Sequence, residues 1–204
     1  MTIRTKDASK QYLADKAIGK TKESETRKEI LAVENKIRNN KTETAAVVKD
    51  GKKLIDKSEG KANEVSFTNA ECQKMKGAVL THNHPSGRTF SDADLITTVK
   101  WDLKEIRAAH SKGVYSIKQV GGATKSASLF PKDFEANRKK ELEKNNATFF
   151  KNQDKYNKGK LSYDDFNKII DKLNGNIEKS QDQWLMKNSK KYGYEYTKEK
   201  LGGK

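Results

Sequence analysis

Seven of the eight valines lie between Glu43 and Thr124, and none follows Thr124. β-Branched side chains are stiff at χ1 and suit a pleated surface. The middle of the chain is therefore expected to carry a sheet, and the flanks to be helical or loose. Leu, Ile, Val and Phe together number only 38 of 204 residues, close to the composition at which a packed core fails. Not all of the chain can be core.

The charge is distributed differently. The net charge is +15, of which residues 1–42 carry +5, residues 43–124 carry +3 and residues 125–204 carry +7. The basic character belongs mainly to the flanks. No apolar run approaches the roughly 18 residues that span a bilayer, and the N-terminus has no secretory apolar core. The single cysteine, Cys72, excludes an internal disulfide and fits a reducing, cytoplasmic setting.

Residues 1–25 are polar and unpatterned, and an arm is expected there. Ile30, Val33 and Ile37 recur at helical spacing within 26–39. Asp50-Gly51 between 44–49 and 53–56 is a strong hairpin signal. Residues 64–68 read as a third strand, 69–76 as a short helix and 78–82 as a buried strand. Leu95, Ile96, Val99, Leu103 and Ile106 predict one long helix over 91–112, stopped by Gly113. A strand over 114–120 ends the middle. From about residue 125 onward the pattern is helical and polar, over 133–152, 163–173 and 177–190. That region holds eleven of the sixteen aromatics.

Two of the three histidines are one residue apart, in Thr81-His82-Asn83-His84-Pro85-Ser86-Gly87. On a strand, positions i and i+2 share a face, so two imidazoles stand side by side where Pro85 ends the ladder. Asp94 follows ten residues after His84, within Ser91-Asp92-Ala93-Asp94. Two imidazoles and a carboxylate leave a ligand position open for water, as catalytic zinc sites do. Each part also has a plainer reading: a His-x-His pair can be two polar residues, and Ser-x-x-Asp before an apolar run is a capping box.

Taken together, HNHPSG followed by SDADL resembles the JAMM motif of the JAB/MPN metalloprotease superfamily, and is most similar to its RadC-like and phage-associated bacterial members. The resemblance covers about residues 26–124. It implies an α/β (α+β) fold, a central mixed sheet flanked by helices, to which 125–204 adds a basic helical extension. It implies that His82, His84 and Asp94 ligate Zn²⁺, that Ser91 donates to the oxyanion, and that an upstream glutamate handles the proton. Glu43 matches the family's position ahead of the hairpin; Glu34 is the alternative, and Glu59 and Glu64 fit less well. The activity implied is hydrolysis of an amide bond in a protein or peptide substrate, as a metallopeptidase or isopeptidase. The basic extension is then a place for a protein partner or nucleic acid. Two other functions fit the motif: a RadC-like protein associated with DNA, and an assembly component of a phage or mobile element.

Several features carry less. Asp154–Asp165 has the glycine and final acid of a calcium loop, but Tyr156 and Lys158 occupy ligand positions; a turn between helices is expected. Trp184–Lys200 interleaves aromatics with lysines, which suits nucleic acid but equally a helix with its rings on the core. His110 and Cys72 are expected to be a boundary residue and a small hydrophobe. Leu201-Gly202-Gly203-Lys204 is similar to ubiquitin-like tails, and a flexible tail is expected.

Overall fold

The computed structural model describes residues 4–58, 64–121 and 126–200, with side chains from residue 15 onward. Helix α1 (Arg4–Ile37) begins where an arm was expected. Its Ile30, Val33 and Ile37 are buried against Val48, Val79 and Ala46, so the predicted apolar spacing is the face that docks on the sheet. Strands β1 (Thr44–Lys49) and β2 (Lys52–Ser58) form the expected hairpin. Asp50 and Gly51 both have positive φ, 51° and 76°, the geometry that matches a two-residue turn to strand twist.

Residues 64–68, expected as a third strand, form no regular element and are not part of the sheet. They lead into α2 (Asn69–Gln73), capped by Thr68 and Glu71. Strand β3 (Val79–Asn83) is buried on both faces. The predicted long helix is two elements: α3 (Asp92–Lys100) and then β4 (Glu105–His110). Asp102 turns the chain between them, in the left-handed region at φ 50°. Leu103 and Ile106 are fully buried, so their helical spacing was real apolar signal from two different elements. Ile96, which the helical reading placed on the core, is 51% exposed.

Strand β5 (Gly113–Gln119) follows as expected. Helix α4 (Phe130–Asn157) has Pro131 in its first turn, where the missing N–H costs nothing. Helix α5 (Tyr163–Asn188) runs through Gly175, where two helices were predicted. A glycine inside a helix costs only about 1 kcal/mol, and half-buried Leu173 and Ile177 span it on one face. Strand β6 (Tyr194–Lys200) was not anticipated and pairs antiparallel with β5.

The fold is α+β. Its six-stranded mixed sheet has the order β2-β1-β3-β4-β5-β6, with β3 and β4 parallel and joined through α3. One face carries α1. The other carries the main core, in which Leu80, Leu95, Leu103, Ile106 and Ile117 meet Phe130, Phe134, Leu185, Tyr192 and Tyr194. The expected helical extension thus supplies both core and an edge strand; the boundary placed at 124–125 falls outside the described residues. Among the described residues no helix is long and apolar enough to cross a membrane.

On the α1 face, Arg107 of β4 is 1% exposed. Its guanidinium bonds Glu34 of α1 at 2.6 Å, Glu105 at 2.6 Å, and both oxygens of Glu199 of β6 at 2.9 and 2.8 Å. Arg27 of α1 also reaches Glu199, at 2.6 Å. Burial opposes the charge, but the three carboxylates outweigh it and push Arg107 further above its usual range.

Candidate metal centre

Alternation along β3 sends Leu80 and His82 to the core face, and Thr81 and Asn83 to the α1 face. His84 continues this alternation just beyond β3, its N–H bonded to the Ala109 carbonyl at 2.8 Å. The Nε2 atoms of His82 and His84 meet at 2.8 Å. Asp94 reaches them from the first turn of α3: Oδ1 is 3.2 Å from His82 Nε2, and Oδ2 is 3.7 Å from His84 Nε2. Glu43 Oε1 lies 4.0 Å from His82 Nε2.

The capping box and the ligand set are one structure. Asp94 Oδ2 accepts from both the N–H and the hydroxyl of Ser91 at 2.7 Å. The Asp94 N–H returns a bond to Ser91 Oγ at 3.2 Å. This double bracing leaves Oδ1 aimed at His82. The capping-box reading of Ser-x-x-Asp is borne out, and the cap fixes a carboxylate that faces the histidines.

The donor set fits a metal ion. Tetrahedral zinc with bonds of about 2.0–2.2 Å sets its donor atoms about 3.3–3.6 Å apart; the separations of 2.8, 3.2 and 3.7 Å among His82, His84 and Asp94 straddle that range, and the two Nε2 atoms would part by about half an ångström to reach it. Glu43, His82 and His84 also offer ligand atoms within 4.8 Å of one another. His84 Nδ1–H donates to the Arg88 carbonyl at 2.8 Å, which leaves its Nε2 lone pair facing the site. A His ligand's second nitrogen is usually anchored in this way. The proton between the two Nε2 atoms is one that a bound cation displaces.

Charge around the site is uneven. Burial disfavours a charged His82, but Asp94 and Glu43 overcome this and raise its pKa. Burial and the neighbouring His82 lower that of His84. Burial alone would raise the Asp94 carboxyl; His82, His84 and the Ser91 amide hold it well below the usual range. Glu43 moves the other way, raised by burial against the opposing pull of His82. The two carboxyls of the site are thus shifted in opposite directions, Asp94 down and Glu43 up.

The site opens into a cavity of about 590 Å³. Val65, Phe67 and Leu80 form an apolar wall, and Glu64 and Arg88 are also at its edge. Phe67 and Arg88 were not picked out from the sequence. Arg88 sits inside the motif, but the 64–68 segment gave no sign that it returns to the histidines.

All five residues expected at the site, Glu43, His82, His84, Ser91 and Asp94, line this cavity. Glu34 does not; it lies on the α1 face, bonded to Arg107 and to Thr81 Oγ1 at 3.1 Å. Glu59 is outside the described residues. His110 ends β4 rather than lying on a helix, and stacks on Tyr115 at 4.9 Å. Cys72 is buried, and burial pushes its thiol up. The calcium-loop lookalike is an interhelical turn in which Asp165 bonds Ser162 and Lys168. Tyr192 is buried and half-buried Trp184 packs beside it, both stacked on Phe130, so these two rings pack on the core. The Leu201–Lys204 tail lies outside the described residues.

Comparison with protein-family models, with curated proteins and with solved structures gives no match. The meaning of the site rests on its geometry and on the chemistry of its donors.

Proposed function

We propose that the chain is a zinc-dependent metallopeptidase of JAMM type that hydrolyses an amide bond, peptide or isopeptide, in a protein substrate. The observation that supports this most is the convergence of two imidazole Nε2 atoms and a braced carboxylate, beside a second carboxylate, at the wall of an open cavity. His82, His84 and Asp94 hold the ion. When bound, zinc supplies a Lewis acid and brings the pKa of a coordinated water to about 7.

The chain's own groups do the rest. Glu43, beside His82 at the cavity wall, takes a proton from the attacking water and delivers it to the leaving amine. Ser91 turns its hydroxyl from Asp94 toward the carbonyl oxygen as negative charge develops there. The apolar wall at Val65, Phe67 and Leu80 receives a substrate side chain and keeps bulk water from the scissile bond.

The test begins with metal analysis of the purified chain. About one zinc per chain is expected, lost in His82→Ala, His84→Ala and Asp94→Ala. A zinc-replete screen against peptides and isopeptide-linked conjugates should then find cleavage that Glu43→Gln abolishes while the metal stays bound. A well-folded wild type that takes up no metal overturns the proposal. Steeply salt-dependent DNA binding without amide cleavage would favour the nucleic-acid-associated function instead.

A further inference from the structure

The loop from Pro85 to Phe90 joins two metal-site residues, His84 and Ser91, and it carries the Arg88 carbonyl that anchors His84 Nδ1. Within the loop the Gly87 N–H bonds the His84 carbonyl at 2.9 Å and the Arg88 N–H reaches Ser86 Oγ at 3.5 Å; further contacts come from outside the motif. Tyr115 of β5 donates its hydroxyl to the Gly87 carbonyl at 3.4 Å. The Tyr196 hydroxyl of β6 lies 3.2 Å from Thr89 Oγ1 and donates to Asp182 Oδ1 of α5 at 2.6 Å. A phenol has one proton to give, so Thr89 is the donor to Tyr196. The order is therefore Thr89 to Tyr196 to Asp182, ending on a carboxylate. The Arg88 side chain meets Glu178 of α5 at 2.8 Å, but the pair is 56% and 39% exposed and screened by water.

We infer that Tyr196, held by Asp182, is a positioning residue for the metal centre: through Thr89 it sets the Arg88 carbonyl, and through that carbonyl the tautomer and aim of His84. Phe90 reinforces the arrangement, its ring 6.4 Å from Tyr196 and 6.5 Å from both histidines. Strand β6 and helix α5 thereby act on a site whose residues lie more than eighty positions earlier in the chain. Removing a group bonded directly to a ligating histidine costs about 10–100-fold in metal affinity; Tyr196 acts further out, through Thr89, and a loss at or below the low end of that range is expected. The inference rests on the metal-binding reading above.

The experiment is a zinc titration of the full chain against a competing chelator, paired with the visible spectrum of the Co²⁺-loaded protein. Tyr196→Phe keeps the ring contacts and removes the hydroxyl. It should weaken zinc by about 3–10-fold and shift the Co²⁺ bands, with the circular dichroism of the fold unchanged. Thr89→Val should act in the same direction, and Thr89→Ser, which restores the hydroxyl, should return both readouts to wild type. Arg88→Met, which removes only the exposed ion pair, should leave affinity within about twofold. Wild-type affinity and spectrum in both Tyr196→Phe and Thr89→Val overturn the inference while leaving the metal centre standing. Failure of the wild type itself to bind zinc or Co²⁺ overturns the metal reading. If Tyr196→Phe does not fold, the Thr89→Val and Thr89→Ser pair decides the matter.

Discussion

The two oxygens of Asp94 face different neighbours, Oδ2 the helix cap and Oδ1 a histidine, whereas Glu34 and Glu43 divide two tasks between two residues. Glu34 faces Arg107, and each is 1% exposed; Glu43 faces His82. Removing one member of a buried ion pair costs about 3–5 kcal/mol. Glu34→Ala is expected toward the lower end, about 3 kcal/mol, because Glu105 and Glu199 still hold Arg107; chemical denaturation measures it, and metal content should not change. Glu43→Gln should show the reverse, near-wild-type stability with loss of turnover. Equal stability losses in the two variants would contradict this division. The histidines, Asp94 and Ser91 were legible because they are close in sequence and their spacing encodes one strand end and one helix start. The choice between the glutamates was less so. What removes Glu34 from the site is a guanidinium 73 positions away, and only the sheet says which face each occupies.

Elements were legible where the signal is local. The Asp-Gly turn gave the first hairpin, and the short apolar run gave β3. Periodicity misled at residues 91–112, because five apolar residues from α3, its turn and β4 fell by chance on a helical stripe. The break is set by one left-handed residue, Asp102, which no neighbouring glycine announces. Strand β6 was missed for another reason. Tyr194-Glu195-Tyr196-Thr197-Lys198 alternates well, but its lysines drew the reading toward a solvated helix. Its place in the sheet depends on Gly113: a Cβ there would sit 2.4 Å from the Glu199 carbonyl oxygen, closer than real contacts allow. Gly113→Ala must push β6 away from β5, and should lower stability by about 1–3 kcal/mol, read by denaturant unfolding. Because β6 carries Tyr196, the same variant should also weaken metal binding.

At the scale of the whole molecule, the Arg107 cluster ties α1, the central β4 and β6 together across the sheet face opposite the candidate metal site. Its pH response has a definite sign. Bonds from Arg107 lower the Glu199 carboxyl to about 2, against the opposing effect of burial. A depressed carboxylate stabilises the fold fully above its unfolded value of about 4.3, and this contribution fades as pH falls from there toward 2. The stability difference between wild type and Glu199→Gln should therefore be largest near neutrality and vanish by about pH 2. A difference that grows on acidification would contradict the assignment. The order of strands has a consequence for biosynthesis as well. Strand β5 emerges from the ribosome about eighty residues before β6, its partner on the outer side of the sheet. Until β6 arrives, one flank of β5 presents bare amides and carbonyls beside Tyr115 and Ile117, an edge able to recruit a neighbouring chain. A nascent or truncated molecule ending before Tyr194 should thus self-associate, visible as early-eluting species in size-exclusion chromatography. Strand β6 is itself an edge strand, but Glu195, Lys198, Glu199 and Lys200 line it, and a charged edge disfavours pairing with another copy where the bare flank of β5 invites it.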